Sequence, residues 1–167
     1  ICDAIYKAHH DSPLFLSFFL FALNGRRKSE ILHLKWENID FKHDRYIIED
    51  TKNGEHQMFF LPEIIKTELL KFNNLNGYVY ESSIKPNTPI VNIRTQVDTI
   101  KNIVPKFTLH YLRNIIVSAM AENGFSATHM SGAIGHNNTA TLSKYLSLNY
   151  VQGSKMANET IQKIMNQ

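Results

Sequence analysis

The stretch Pro13 to Leu23, PLFLSFFLFAL, has no charged side chain and four phenylalanines within eleven residues. A run this apolar has to leave water. It is too short to span a bilayer, which takes about 20 residues, and it lacks the basic start and cleavage site of a secretion signal. What remains is a helix buried within a core, so the rest of the chain must supply the layers that cover it. Pro13 suits a first helical turn, and Asn24-Gly25 suits its end. Phe15, Phe18, Phe19 and Phe21 are therefore assigned to the core.

The chain can build such a core: 167 residues, 43% of them hydrophobic, fit one folded domain. Eighteen Lys+Arg against fifteen Asp+Glu leave a net charge of +3, which permits a nucleic-acid partner without requiring one. The single cysteine, Cys2, excludes an internal disulfide and fits a reducing cytoplasm. No cysteine pair is available for a zinc ribbon and none of the eight histidines falls in a His-Glu-x-x-His pattern, so no metal site is expected. The first residue is Ile1 rather than Met, which suggests a fragment of a longer protein.

Periodicity and punctuation predict a mainly helical α+β chain. Helices are expected over 3–10 and 13–23, broken at Asp11-Ser12-Pro13, then over 29–36 with Ile31, Leu32 and Leu34 to Trp36 on the apolar side. Residues 45–49 and 56–61 read as strands flanking Asn53-Gly54, the preferred pair for a tight hairpin, and 39–41 can add a third antiparallel strand. Lys52 stands immediately before that turn. After Pro62 comes a helix over 63–72 with Ile64, Ile65, Leu69 and Phe72 inward, then a long loop over 73–89 around Tyr78-Val79-Tyr80. Further helices are predicted at 91–104, 108–122, 126–134 (capped by Ser126, stopped by Gly135) and 139–146, with a weakly amphipathic last one at 154–165.

Chemistry concentrates in 107–145. On a helix, His110 and Arg113 lie one turn apart on one face, an arrangement suited to an anionic group such as a phosphate. Tyr145 supplies a nucleophile able to bond covalently to phosphorus. Singly, each residue has an ordinary reading. Arg27 is a surface charge, Lys52 a solvated hairpin lysine, and His110 and Arg113 an exposed helix edge. His136 is then a polar residue past a helix end, and Tyr145 half-buried packing. Tyr111 points about 100° round the helix from His110, and Tyr150 is the stronger rival nucleophile. His9-His10, His33 and His43 read as surface residues, and Arg26, Lys28 and Lys35 as a solvated face or DNA-backbone contacts.

The ordered set, however, resembles the catalytic domain of the tyrosine recombinases, the phage integrase family, from about residue 13 to residue 147. Gly25-Arg26-Arg27-Lys28-Ser29-Glu30, followed by Leu34-Lys35-Trp36, resembles the box around the family's first catalytic arginine. Arg27 falls on that arginine because Glu30 follows at the family's spacing. Arg26 stands where the family is usually aliphatic, which leaves a shifted assignment open. Thr51-Lys52-Asn53-Gly54 resembles the hairpin carrying the catalytic lysine. His110-Tyr111-Leu112-Arg113 is similar to the family's His-x-x-Arg, Gly135-His136 to its Gly-His, and Tyr145 to its nucleophile. Tyr111 replaces an acidic residue common in the family, and Asn114 a frequent histidine.

The resemblance implies an α+β fold, mainly helical with a small three-stranded antiparallel sheet, forming a single catalytic domain over 1–167. It implies DNA cleavage and rejoining through a 3′-phosphotyrosine on Tyr145, for integration or excision of a phage or mobile element. Arg27 and Arg113 would bind the non-bridging oxygens, a kind of contact worth roughly 3–4 kcal/mol in the transition state. Lys52 would protonate the leaving 5′-oxygen, His110 would assist proton transfer at the tyrosine, and His136 would hydrogen-bond the phosphate. No metal or other cofactor is implied. The implied partners are double-stranded DNA and other recombinase protomers in a tetramer, with room for accessory directionality or DNA-bending proteins and no membrane. The family's N-terminal DNA-clamping domain has no counterpart in the sequence, and 154–165 is the candidate for a C-terminal helix exchanged between protomers. A catalytically silent DNA-binding relative, a chromosome-dimer resolvase and a type IB topoisomerase are the alternatives.

Overall fold

The computed structural model describes residues 1–49, 56–135, 142 and 162. In chain order its elements are α1 (Cys2–His9), α2 (Pro13–Leu23), α3 (Lys28–Leu32), a 3-10 turn at Trp36–Asn38, β1 (Ile39–Asp40), β2 (Arg45–Ile48), β3 (Gln57–Phe60), α4 (Glu63–Leu69), α5 (Arg94–Lys101), α6 (Leu109–Glu122) and α7 (Ala127–Ile134). The three strands form one antiparallel sheet in the order β1-β2-β3, with Tyr46 opposite both Ile39 and Phe59.

The apolar run forms α2, and α2 is the centre of the fold. Phe18, Phe19 and Phe21 are completely buried, and α1, α3, α4 and α6 all pack on the helix. Edge-to-face aromatic pairs tie it to distant segments: Phe18 to Tyr80 at 5.6 Å, Phe19 to Phe107 at 6.1 Å and Phe21 to Tyr46 at 5.1 Å. Ser17, the one hydroxyl in the run, hydrogen-bonds the Leu14 carbonyl at 3.0 Å and the Tyr80 hydroxyl at 3.1 Å. Its polar group is thus satisfied inside the core. A second, smaller cluster of Val117, Ala121, Met130, Ile134 and Leu142 joins α6 to α7.

Several local expectations are corrected. The helix expected over 29–36 ends at Leu32, because Leu34 and Trp36 are drawn into pairing with the 77–79 segment. The Val79 N–H donates to the Leu34 carbonyl at 2.9 Å, and the Trp36 N–H to the Gly77 carbonyl at 3.0 Å. Ile64 is exposed. The inward stripe of α4 is Ile65, Glu68 and Leu69, and the Glu68 carboxylate accepts a hydrogen bond from Lys71 Nζ at 2.7 Å. The helix expected over 91–104 is shortened to α5, where the Asn92 side chain accepts the Arg94 N–H at 2.9 Å. The Asn53-Gly54 turn and the helices expected over 139–146 and 154–165 lie outside the described residues, apart from Leu142 and Gln162.

His9 is buried rather than a surface residue. Its ring stacks on Phe19 at 4.9 Å, and Nε2 donates to the Gln96 carbonyl at 3.0 Å, linking α1 to α5. Burial holds this imidazole below the ordinary value of 6.5. Below that pH the unfolded chain binds a proton that the fold resists, so stability falls as pH falls through 6.5. Melting temperatures at pH 7.5 and 5.5 should therefore show a drop on acidification that is smaller in His9→Gln. Equal drops in the two proteins would exclude this role for His9.

Candidate active site

The end of α2 fixes where the site can form. Asn24 and Gly25 turn the chain sharply, with Gly25 at φ +85°, a backbone region that costs other residues about 1–2 kcal/mol. A Cβ at Gly25 would also lie 2.9 Å from Cγ2 of Ile134, so the turn and the end of α7 are in direct contact. Arg27 follows as the residue preceding α3. The Glu30 carboxylate accepts its backbone N–H at 2.8 Å and its Nη1 at 2.5 Å. Glu30 is buried, whereas the Arg27 side chain keeps 37% of its surface in solvent. The arginine is thus held by one edge with the remainder open.

Arg113 approaches from α6. It is buried, and its guanidinium donates to the Gly25 carbonyl through Nη1 and to the Ile134 carbonyl at 2.8 Å through Nη2. One side chain therefore ties the α2–α3 turn, α6 and the C-terminus of α7 together. Burial, followed by the neighbouring positive charge of Arg27, pulls its pKa down to about 10, which leaves it cationic at neutral pH. His110 is exposed one turn earlier on α6. Thr108 caps the helix by accepting the Tyr111 N–H at 3.2 Å, and Tyr111 turns its ring outward.

Between the turn and the start of α6 lies a cleft of about 210 Å³, lined by Arg26, Arg27, Lys28, Leu109, His110 and Arg113 among others. Two widely separated segments thus bring Arg27, His110 and Arg113 to one surface, as the sequence-predicted set requires. Cations outnumber Glu30, the carboxylate paired within the set, and the N-terminus of α6 adds its positive dipole end. The cleft is consequently suited to a multiply liganded anion.

α7 ends on Gly135 in the left-handed conformation, φ +64°. A Cβ there would meet Oε1 of Gln57 and come within 3.1 Å of the Phe59 ring, so β3 packs against this corner. Three members of the predicted set, Lys52, His136 and Tyr145, lie outside the described residues, as does Tyr150.

Arg26 is the residue that sequence reasoning misplaced. Expected on a solvated face or at the DNA backbone, it is 4% exposed and donates through Nη2 to the carbonyls of Ala133 and, at 3.3 Å, Asn24. The guanidinium lies 3.4 Å above the Phe59 ring. An arginine in a position the family usually fills with an aliphatic residue was the available signal, since such a position faces inward.

The model of the phage integrase family matches residues 3–152. The chain belongs to that family, the tyrosine recombinases. It is 28% identical over 145 residues to the shufflon-specific DNA recombinase of Escherichia coli, covering 86% of this chain and 37% of that protein. Its fold is similar to that of XerA recombinase, with a TM-score of 0.71 at 19% identity over 95% of this chain and 61% of the other. It is likewise similar to the catalytic domain of bacteriophage HP1 integrase, with a TM-score of 0.65 at 16% identity over 92% and 90% of the two chains. The chain thus spans well under two thirds of the length of the shufflon recombinase. The mixed helical fold with its three-stranded sheet is that of the family's catalytic domains.

The close approach at Gly135 yields a prediction. Gly135→Ala must adopt the left-handed backbone and displace Gln57, lowering stability by about 1–2 kcal/mol. Urea unfolding of the two proteins measures this, and an unchanged midpoint would contradict the packing described for this corner.

Proposed function

We propose that this chain is the catalytic domain of a site-specific DNA recombinase that cuts and rejoins DNA through a covalent 3′-phosphotyrosine, in the integration or excision of a phage or mobile element. The observation that carries the reading is the convergence of Arg27, His110 and Arg113 on one cation-rich cleft in a member of this family. The shufflon recombinase, by its name a DNA recombinase, supports the choice of substrate.

In this reading the Tyr145 phenol oxygen attacks the scissile phosphorus, its proton passing with assistance from His110. A P–O bond to tyrosine forms as the P–O5′ bond breaks, and Lys52 gives the departing 5′-oxygen its proton. Charge accumulates on the non-bridging oxygens, where Arg27, Arg113 and His136 donate hydrogen bonds. The reaction exchanges one phosphodiester for another, so a 5′-hydroxyl from a partner strand can reverse it without an external energy source. The partners in this reading are double-stranded DNA and further protomers assembled on it, with residues 154–165 as the segment for exchange.

Arg27 is the cleaner of the two arginines to test, because Arg113 also holds the fold together. A nicked DNA substrate whose cleaved end diffuses away should trap an adduct that resists denaturation. Tyr145→Phe should abolish it, and Arg27→Ala should slow its formation roughly 100- to 1000-fold. An adduct surviving in Tyr145→Phe would overturn the nucleophile. DNA binding without cleavage by the unaltered protein would instead indicate a catalytically silent relative.

A further inference from the structure

Arg26 carries a charge into the interior beside a site that already holds two arginines. Its Nε and Nη1 are buried and have no hydrogen-bond partner among the described residues, and its planar head rests on the Phe59 ring instead. Arg26 lines the cleft, yet only 4% of the residue is accessible. Its hydrogen bonds run inward, from Nη2 to the Ala133 and Asn24 carbonyls.

Those partners flank the partners of Arg113, which bonds the next carbonyl of α7, Ile134, and the next carbonyl of the turn, Gly25. Two guanidiniums thus staple the same two backbone segments at adjacent rungs. Carbonyls at a helix C-terminus lack intrahelical donors and carry partial negative charge, so a cation suits them where an aliphatic side chain would leave Ala133 without this donor. The second rung also has a brace. Phe59 of β3 covers the Arg26 head and packs against Gly135, so the sheet supports the end of α7 from the far side. Burial lowers the Arg26 pKa, a cost the chain bears for a group whose hydrogen bonds run inward to backbone carbonyls.

We propose that Arg26 is a positioning residue: it fixes the C-terminal carbonyls of α7 against β3, and so sets the guanidinium of Arg113, without touching the DNA phosphate. The inference rests on the phosphodiester-cleaving reading of the cleft. Removing Arg26 leaves Arg113 present but loosely anchored, so the chemical step suffers and DNA affinity does not.

The test uses Arg26→Met, of similar length and without charge, and follows single-turnover adduct formation on the nicked DNA at saturating concentration. The rate should fall by about 10- to 100-fold, with DNA affinity and its salt dependence unchanged. Arg26→Lys, which keeps a donor for Ala133, should recover part of the loss. In an Arg113→Lys background, Arg26→Met should cost little more, because both changes act through one guanidinium. Phe59→Leu, which keeps Arg26 and removes its brace, should slow the same step in case Arg26→Met folds poorly. Hydrogen exchange on the DNA-free protein should speed up at the Ile134 and Gly135 amides in Arg26→Met, a readout independent of cleavage.

A wild-type rate in Arg26→Met, fully additive losses with Arg113→Lys, or unchanged exchange at the end of α7 would each overturn the proposal. A salt dependence reduced by about one phosphate contact would make Arg26 a DNA ligand instead. If the unaltered protein forms no adduct, the cleavage reading fails, and exchange alone decides whether Arg26 fixes α7.

Discussion

The buried guanidinium of Arg113 is the constraint around which the site is organised. Placing a full charge in the interior is costly and is offset by hydrogen bonds to its donors, which for Arg113 run to the Gly25 and Ile134 carbonyls. Both belong to chain ends that would otherwise be under-satisfied, the turn after α2 and the last turn of α7. The same two bonds therefore solve a folding problem and orient a cation. They also explain the glycine at 25, since a side chain there would press into Ile134 and separate the segments Arg113 joins.

From that junction the electrostatics follow. Arg27 is held on one edge by Glu30, His110 stands one turn ahead of Arg113, and the start of α6 points its dipole at the same opening. Burial, and then repulsion from Arg27, pull the pKa of Arg113 down to about 10, so both work against its charged form. An anion bound between the two arginines relieves that repulsion. A charge that grows on the anion during reaction gains more than one that is merely bound.

Much of this was legible in the sequence, for physical reasons that differ by residue. The apolar run from Pro13 to Leu23 could only be a buried helix, and the expected bounds 108–122 and 126–134, the latter set by Ser126 and Gly135, match α6 and α7 to within a residue. Spacing put Arg113 and His110 on one face, but resemblance, not spacing, joined Arg27 to them across more than eighty residues. What stayed hidden depended on long-range pairing. The loss of the helix after Leu32 needed the 77–79 segment as partner, and the burial of His9 needed Phe19 and Gln96. Arg26 misled because charge usually marks the surface, and only the tertiary meeting of α7 with β3 creates an interior place for it.

In the proposed reaction Arg27 and Arg113 neutralise the negative oxygens of a scissile phosphate. DNA in which that phosphate is replaced by an uncharged methylphosphonate offers the most direct measurement. If the arginines act on that charge, the loss in adduct formation caused by Arg27→Ala should be large on native DNA and mostly vanish on the neutral substrate. An equal loss on both substrates would contradict the account and place the role of Arg27 elsewhere.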